Sequence, residues 1–291
     1  MNTKPASPDR SASEAQARQQ ALQHSFADRP GGVAAEFSSK AADYLAARPD
    51  YPLALLQHLR QLLSSPQAHE AAPHVVDLGA GSGQLSGGLL QQGFRVTAVE
   101  PGDAMRALAE QRLGAQAGFA ARAGTAEATG LASSCTDLIT AAQAFHWFDI
   151  EASRRECLRL LKPGGQVALI WNDRVRSEPL QQALDALFDE FGGARRAAQN
   201  QHMKGGDSER AGLPRFFGGP VPAGLHWLHE HRLDLAGLAS LAFSRSYLPA
   251  RDSREGQVLL ERLGTLFARH AIDGQVTVPY RTLAVIGRPT P

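Results

Sequence analysis

The chain has 291 residues, with 30 basic against 29 acidic side chains and a net charge of +1, so no overall field draws it to nucleic acid or an anionic membrane. That length holds one large domain or two small ones with a substantial core. Its two cysteines, Cys135 and Cys157, exclude a disulfide framework and suit a reducing compartment; with no apolar run near the ~20 residues of a membrane span and no apolar leader-like stretch at the amino terminus, a cytoplasmic protein is expected.

Residues 1–32 are rich in Ala, Ser, Gln, Pro and charge. They bury too little to offset the entropy of ordering and read as a flexible tail, within which a short amphipathic helix stays open. The segment Phe37–Pro52 is different, with three aromatics (Phe37, Tyr44 and Tyr51) and a Pro-bounded turn ahead of a helix over Leu53–Leu63. On its residues alone it is an ordinary helical pair packing on a sheet.

The run His74–Leu78 is apolar and β-branched, as in a strand buried on both faces. Three glycines follow at alternate positions, Gly79, Gly81 and Gly83, and then Leu85, Leu89 and Leu90 resume at helical spacing. This is strand, tight loop and helix, half of a βαβ unit. Glycine lets bare backbone approach a ligand and tolerates positive φ, and the opening N–H groups of the helix favour an anionic or carboxylate group. The dinucleotide fingerprint G-x-G-x-x-G needs a third glycine where this chain has Gln84. A second apolar strand, Phe94–Val99, ends in Glu100, which lies 21 residues after Gly79; a carboxylate gripping ribose hydroxyls is expected roughly 20 residues on.

Pro101–Met105 opens the next helix, with Leu108 and Leu113 on one face; on its residue type alone Met105 reads as core. A third strand over Ala117–Ala123 leads to Gly124-Thr125-Ala126-Glu127, and a fourth, Thr136–Ala142, runs into Gln143-Ala144-Phe145-His146-Trp147-Phe148-Asp149. His146 reads either as a core histidine donating one hydrogen bond or as a site residue, since open α/β sheets bind ligands at the carboxyl ends of their strands. Asp149 can cap a helix that stops at Lys162-Pro163-Gly164-Gly165, before strand five at Gln166–Trp171.

Beyond Asn172 the pattern is less regular. A helix over Ser177–Phe191 precedes a Gly/Arg/Gln-rich connection to about Arg215, a strand over Leu225–Leu233, a helical stretch to Phe243, a long helix over Ser253–Ala271 and a last strand over Val276–Ile286. On a strand His229 and His231 share a face while His226 points away, so no metal site is expected. Arg195, Arg196 and Lys204 read as solvated surface.

The G-x-G-x-G loop, the acid-tipped second strand and the Leu-Lys-Pro-Gly-Gly turn, in this order, resemble class I S-adenosylmethionine-dependent methyltransferases. The string Phe145–Asp149 and the segment Phe37–Pro52 are similar to the methyltransferase type 11 group, trans-aconitate methyltransferase included. The resemblance implies a Rossmann-like α/β fold: a seven-stranded, mostly parallel sheet with helices on both faces, an antiparallel last strand and helical cover insertions. The methyltransferase domain would span 33–291, with the cofactor core at about 70–172 and cover segments at about 173–220 and 235–272. The cofactor would be S-adenosyl-L-methionine. Tyr44 and Arg48 would lie at its methionine end, with Asp77, Gly79, Ala80, Gly81 and Gly83 forming the loop motif, and Glu100 and Pro101 at the ribose. Met105, Thr125, Ala126 and Glu127 would surround the adenine, although an acid often stands where this chain has Thr125. Gln143 and Ala144 would close the site from strand four, with His146 as catalytic candidate and Trp147 and Asn172 facing the acceptor.

The expected reaction is methyl transfer to a small-molecule O or N acceptor such as a carboxylate or phenol, with no nucleic acid or membrane partner and the oligomeric state open. A methyltransferase acting on protein or RNA and a non-catalytic S-adenosylmethionine-binding protein remain alternatives. A nicotinamide-dependent oxidoreductase is remote, because Gln84 fills the third-glycine slot.

Overall fold

A computed structural model describes residues 48–63, 72–203, 210–245 and 247–290. The tail 1–32 and Tyr44 lie outside the described residues. Seven strands form one sheet in the order β3-β2-β1-β4-β5-β7-β6. They are β1 (His74–Leu78), β2 (Arg95–Val99), β3 (Phe119–Arg122), β4 (Thr136–Ala142), β5 (Leu161–Arg174), β6 (Gly224–Leu233) and β7 (Val276–Gly287). Only β7 runs antiparallel to its neighbours.

Strand order reverses beside β1, which pairs with β2 on one side and β4 on the other. That reversal opens a crevice at the carboxyl edge, because the connections from the two strands leave in opposite directions. The helices are α1 (Leu53–Leu62), α2 (Gln84–Gln91), α3 (Asp103–Leu113), α4 (Ile150–Leu160), α5 (Pro179–Met203), α6 (Leu213–Phe217), α7 (Leu235–Phe243) and α8 (Arg254–His270). Among the described residues no helix is long and apolar enough to cross a membrane.

Alternation on the strands sorts the core into two faces. Val76, Ile139, Leu169 and Trp171 pack with Phe145 of the β4–α4 connection, Leu160 of α4 and Phe216 of α6. The opposite face buries Val75, Leu138 and Ile170 with Leu55 and Leu59 of α1 and Leu89 of α2. A third cluster joins α5, α7 and α8 to Val276, Val278 and Tyr280 of β7. This last group is the cover. Each helix start with a suitable residue is capped as its chemistry dictates: Asp149 accepts from the Ala152 amide, Asp234 from Gly237 and Ser253 from Gly256.

The structure departs from the sequence expectations at Arg196, which is buried and not solvated surface, and in three further places. Leu-Lys-Pro-Gly-Gly does not lie between helix and strand, because β5 already begins at Leu161, and the pairing with β4 slips between Thr136 and Leu138. Gly164, at φ +80°, makes that bulge possible. The expected connection after Phe191 is helical to Met203, broken only at Gly193 (φ 46°, ψ −132°). Arg196 holds the second part, donating to the Asp185 carbonyl at 2.6 Å and carboxylate at 2.9 Å. Finally, α6 packs under the sheet with Phe145 rather than in the cover.

Candidate active site

The three loop glycines all take positive φ, but their surroundings differ. At Gly79 an added Cβ would stand 2.7 Å from Ala144 Cβ, so the loop rests directly on the end of β4. At Gly83 it would meet Leu113 Cδ1 of α3 at 2.7 Å. At Gly81 it would meet nothing within 4 Å, because that residue faces open space. The Gly79 and Ala80 amides are spent on Val99 O at 2.9 and 3.2 Å, which ties the loop to the tip of β2. Among the described residues no side chain caps α2, which starts from Gly83.

Glu100 completes this cradle. One carboxylate oxygen accepts from the Gly81 amide and the other from the Gly102 amide, both at 2.9 Å. The carboxylate is thus fixed where the glycine loop and the α3 connection meet. Asp77, by contrast, is buried beneath the loop, accepting from the Ser86 hydroxyl at 2.7 Å and the Thr140 hydroxyl at 2.8 Å. Burial pushes its pKa up to about 6, partly offset by those two hydroxyls and reinforced by the Glu100 charge. Both carboxylate oxygens are engaged, so Asp77 acts from beneath by holding β1, β4 and α2 together.

These elements bound a cavity of about 1750 Å³. Arg48, Asp77, Gly79, Ala80 and Gly81 line it, followed by Glu100, Pro101 and Met105. Thr125, Ala126 and Glu127 line one end, and Gln143, Ala144, His146, Trp147 and Asn172 line the centre. Gly83 is not a lining residue; its place is the packing of α2 on α3. Thr125 and Ala128 exchange backbone hydrogen bonds of 3.3 Å, making a tight turn. Glu127 accepts from the Asp149 amide at 2.9 Å, which joins that turn to the start of α4.

Gln143 has φ +56° without being glycine, a conformation that persists only where its surroundings impose it. Its amide donates to Ile170 O at 2.9 Å and its side chain to Asn172 O at 3.0 Å. The side chain of Asn172 accepts in turn from the buried Thr282 hydroxyl at 2.6 Å. The ends of β4, β5 and β7 are therefore locked across the cavity floor.

His146 and Trp147 sit on a single 3-10 turn (Phe145–Trp147), their rings 5.0 Å apart. Phe145 points into the core, edge-on to Trp171 and Phe216. His146 is exposed towards the cavity and makes no hydrogen bond among the described residues, so it is not a satisfied core histidine. Its surroundings lower its pKa to about 4 by desolvation. The imidazole is therefore neutral at pH 7.

Sequence reasoning missed the far wall of this cavity. Arg174 and Arg245 line it with Tyr247 and Tyr280, and Arg210 spans Trp171 at 5.2 Å while pairing with Asp173. The signal was positional: Arg174 follows Asn172 by two residues and shares its face at the carboxyl end of β5.

Residues 76–169 match the methyltransferase domain family. An uncharacterized methyltransferase of Mycobacterium bovis is 30% identical over 256 residues, covering 86% of this chain and 93% of that protein. The chain belongs to the methyltransferase family. This methyltransferase also resembles a structure from Anaeromyxobacter dehalogenans assigned as a type II methyltransferase, at a TM-score of 0.59 and 26% identity, over 84% of this chain and 99% of that one. A structure from Anabaena variabilis, assigned to an antibiotic biosynthesis pathway, shares the fold at a TM-score of 0.53 and 22% identity, over 82% of this chain and 98% of the other. The enzyme is thus a class I methyltransferase, a fold and family that imply S-adenosylmethionine-dependent catalysis.

Proposed function

We propose that this chain binds S-adenosylmethionine between the glycine loop and Glu100, and transfers its methyl group to a small-molecule O or N acceptor held under the cover. One observation carries the reading: the cavity is about 1750 Å³, against about 300–1,000 Å³ for a pocket fitted to one drug-sized ligand. That leaves room for an acceptor beside the cofactor. The residues present also fit the cofactor itself, since Gly81 leaves open the space a side chain would fill. Glu100 stands beside it with lone pairs to spare for hydroxyls.

When bound, the cofactor supplies a methyl group already activated on a sulfonium. The chain's contribution is then mainly to hold two reactants in line, where pre-organised geometry can supply about 7–11 kcal/mol. Gln143 and Asn172 are rigidly held at the cavity floor for that purpose. Trp147 presents a ring 40% exposed to an arriving acceptor. His146, neutral at neutral pH, can take a proton from a phenol or amine, or hold the acceptor by a hydrogen bond where none must leave.

The test is formation of S-adenosylhomocysteine from S-adenosylmethionine with panels of small phenols, amines and carboxylic acids, and in parallel with peptides and RNA. Turnover that depends on a small acceptor supports the reading. Turnover only with peptide or RNA transfers it to the macromolecular class, and absence of S-adenosylhomocysteine binding by calorimetry overturns it.

A further inference from the structure

β5, β7 and β6 carry three polar side chains in one row. Arg174 lies opposite Tyr280, and Tyr280 lies opposite His229, so all three project from the same face of the sheet. Tyr280 is buried, and His229 stacks on its ring at 5.6 Å. Two nitrogens in this row are buried without a hydrogen-bond partner, Nη1 of Arg174 and Nε2 of His229. Buried donors are ordinarily satisfied, and of these two residues it is Arg174 that lines the cavity, so its spare Nη1 donor is the one placed to meet a ligand there.

The charges facing Arg174 offset it only in part. Asp185 of α5 stands 3.8 Å from Nη1, beyond hydrogen-bond reach, and its carboxylate is held by Arg196 at 2.9 Å. Arg196 also pairs with Asp189. From the α7 side comes a second guanidinium, Arg245, seated 4.8 Å over Phe188. Tyr247 packs between Gly192 and Arg196 of α5, and with Tyr280 it is the remaining group that bears on the Arg174 charge. Burial, and then Arg245, lower the pKa of Arg174 to about 10, so it is still cationic at pH 7. Arg174 and Arg245 thus line the cavity with the phenols of Tyr247 and Tyr280, and the carboxylate nearest Arg174 is shared with Arg196, which holds it more closely.

We propose that the cover end of the cavity is an oxyanion subsite, in which Arg174, flanked by Tyr280 and Tyr247, binds a carboxylate or phosphate carried by the methyl acceptor. A guanidinium suits this group because its fork of donors matches the paired oxygens of either anion. Leu241, buried in α7, lines the same end, so the body of the acceptor meets an apolar wall while its anionic group meets Arg174. The inference rests on the acceptor reading of the cavity and adds the charge class of the acceptor.

The test titrates the full chain with phenylacetate, phenyl phosphate and the neutral phenylacetamide, each with and without saturating S-adenosylhomocysteine. At least one anion is expected to bind ten-fold or more tighter than the amide. Arg174→Met should remove that preference while leaving amide affinity unchanged, and Arg174→Lys should retain part of it. The tighter of phenylacetate and phenyl phosphate identifies the carboxylate or the phosphate as the natural group. A variant that loses amide binding as well, or its circular-dichroism spectrum, is replaced by Tyr280→Phe, expected to lower anion affinity several-fold. Equal affinity for anion and amide, failure of both anions to bind, or a preference that survives Arg174→Met overturns the proposal. Loss of S-adenosylhomocysteine binding with the anion preference intact strikes the cofactor reading alone.

Discussion

Replacing each loop glycine in turn by alanine separates backbone strain, packing and ligand space. All three residues have positive φ, which costs a side-chain-bearing residue about 1–2 kcal/mol. Gly81→Ala incurs only that, because its new methyl meets nothing within 4 Å. Gly79→Ala adds a methyl 2.7 Å from Ala144 Cβ, an atom fixed to backbone that cannot swing aside, so overpacking adds about 1–3 kcal/mol more. Gly83→Ala meets Leu113 Cδ1 at the same 2.7 Å, but that is the far end of a flexible side chain and can move. The expected order of destabilisation in urea is therefore Gly79, then Gly83, then Gly81. S-adenosylhomocysteine affinity measured by calorimetry should follow a different order, with the folded Gly81 variant losing at least ten-fold. Wild-type affinity in Gly81→Ala, or a stability loss there equal to that of Gly79→Ala, would refute the assignment of Gly81 to ligand space.

Three further outcomes follow from the same geometry. Glu100→Ala removes the acceptor for the Gly81 and Gly102 amides and should weaken S-adenosylhomocysteine binding by about 1–3 kcal/mol, the scale of charge-assisted hydrogen bonds; an unchanged dissociation constant removes it from the site. His146→Ala, at an exposed ring that makes no hydrogen bond among the described residues, should lower turnover with little effect on melting temperature or cofactor affinity. If it acts as a base, the wild-type rate rises with pH through a value below the ordinary 6.5, and this limb is absent from the variant. For Asp77, a folded pKa of about 6 against 3.8 means that the folded state holds the proton more tightly, so this group's stabilising contribution falls as pH rises from about 4 to 6 and stays lost above. Asp77→Asn should flatten that slope, gaining up to about 3 kcal/mol relative to wild type between pH 4 and 7; parallel stability curves for the two proteins would count against it.

The half of the site nearest β1 was legible because its chemistry is local. Gly79 to Gly83, Glu100 and Asp149 announce a tight turn, an acid-tipped strand and a helix cap, each from its own immediate sequence neighbours. The wall opposite was not. Arg174 acquires its meaning from Tyr280, which reaches it only through the antiparallel insertion of β7. Nothing within a sequence window joins the two. The length of α5 was hidden for a different reason: Gly192-Gly193 reads as a helix stop, yet Arg196 recovers the helix by its hydrogen bonds to Asp185 and its stacking on Phe188. The Leu161–Gly165 turn misled because its glycines serve a bulge inside β5, not a break before it.

The cover has an apolar cluster distinct from the two that flank the sheet. A region with its own core has its own melting free energy, and can open as a unit while the parallel ladder stays intact. On the proposed reading, with the acceptor held under this cover, such opening would exchange acceptor for product without disturbing the glycine loop. On the same reading, the two halves could drift under selection at different rates: α5, α7 and α8 would be remodelled for a new acceptor while the grip on the methyl donor was inherited unchanged.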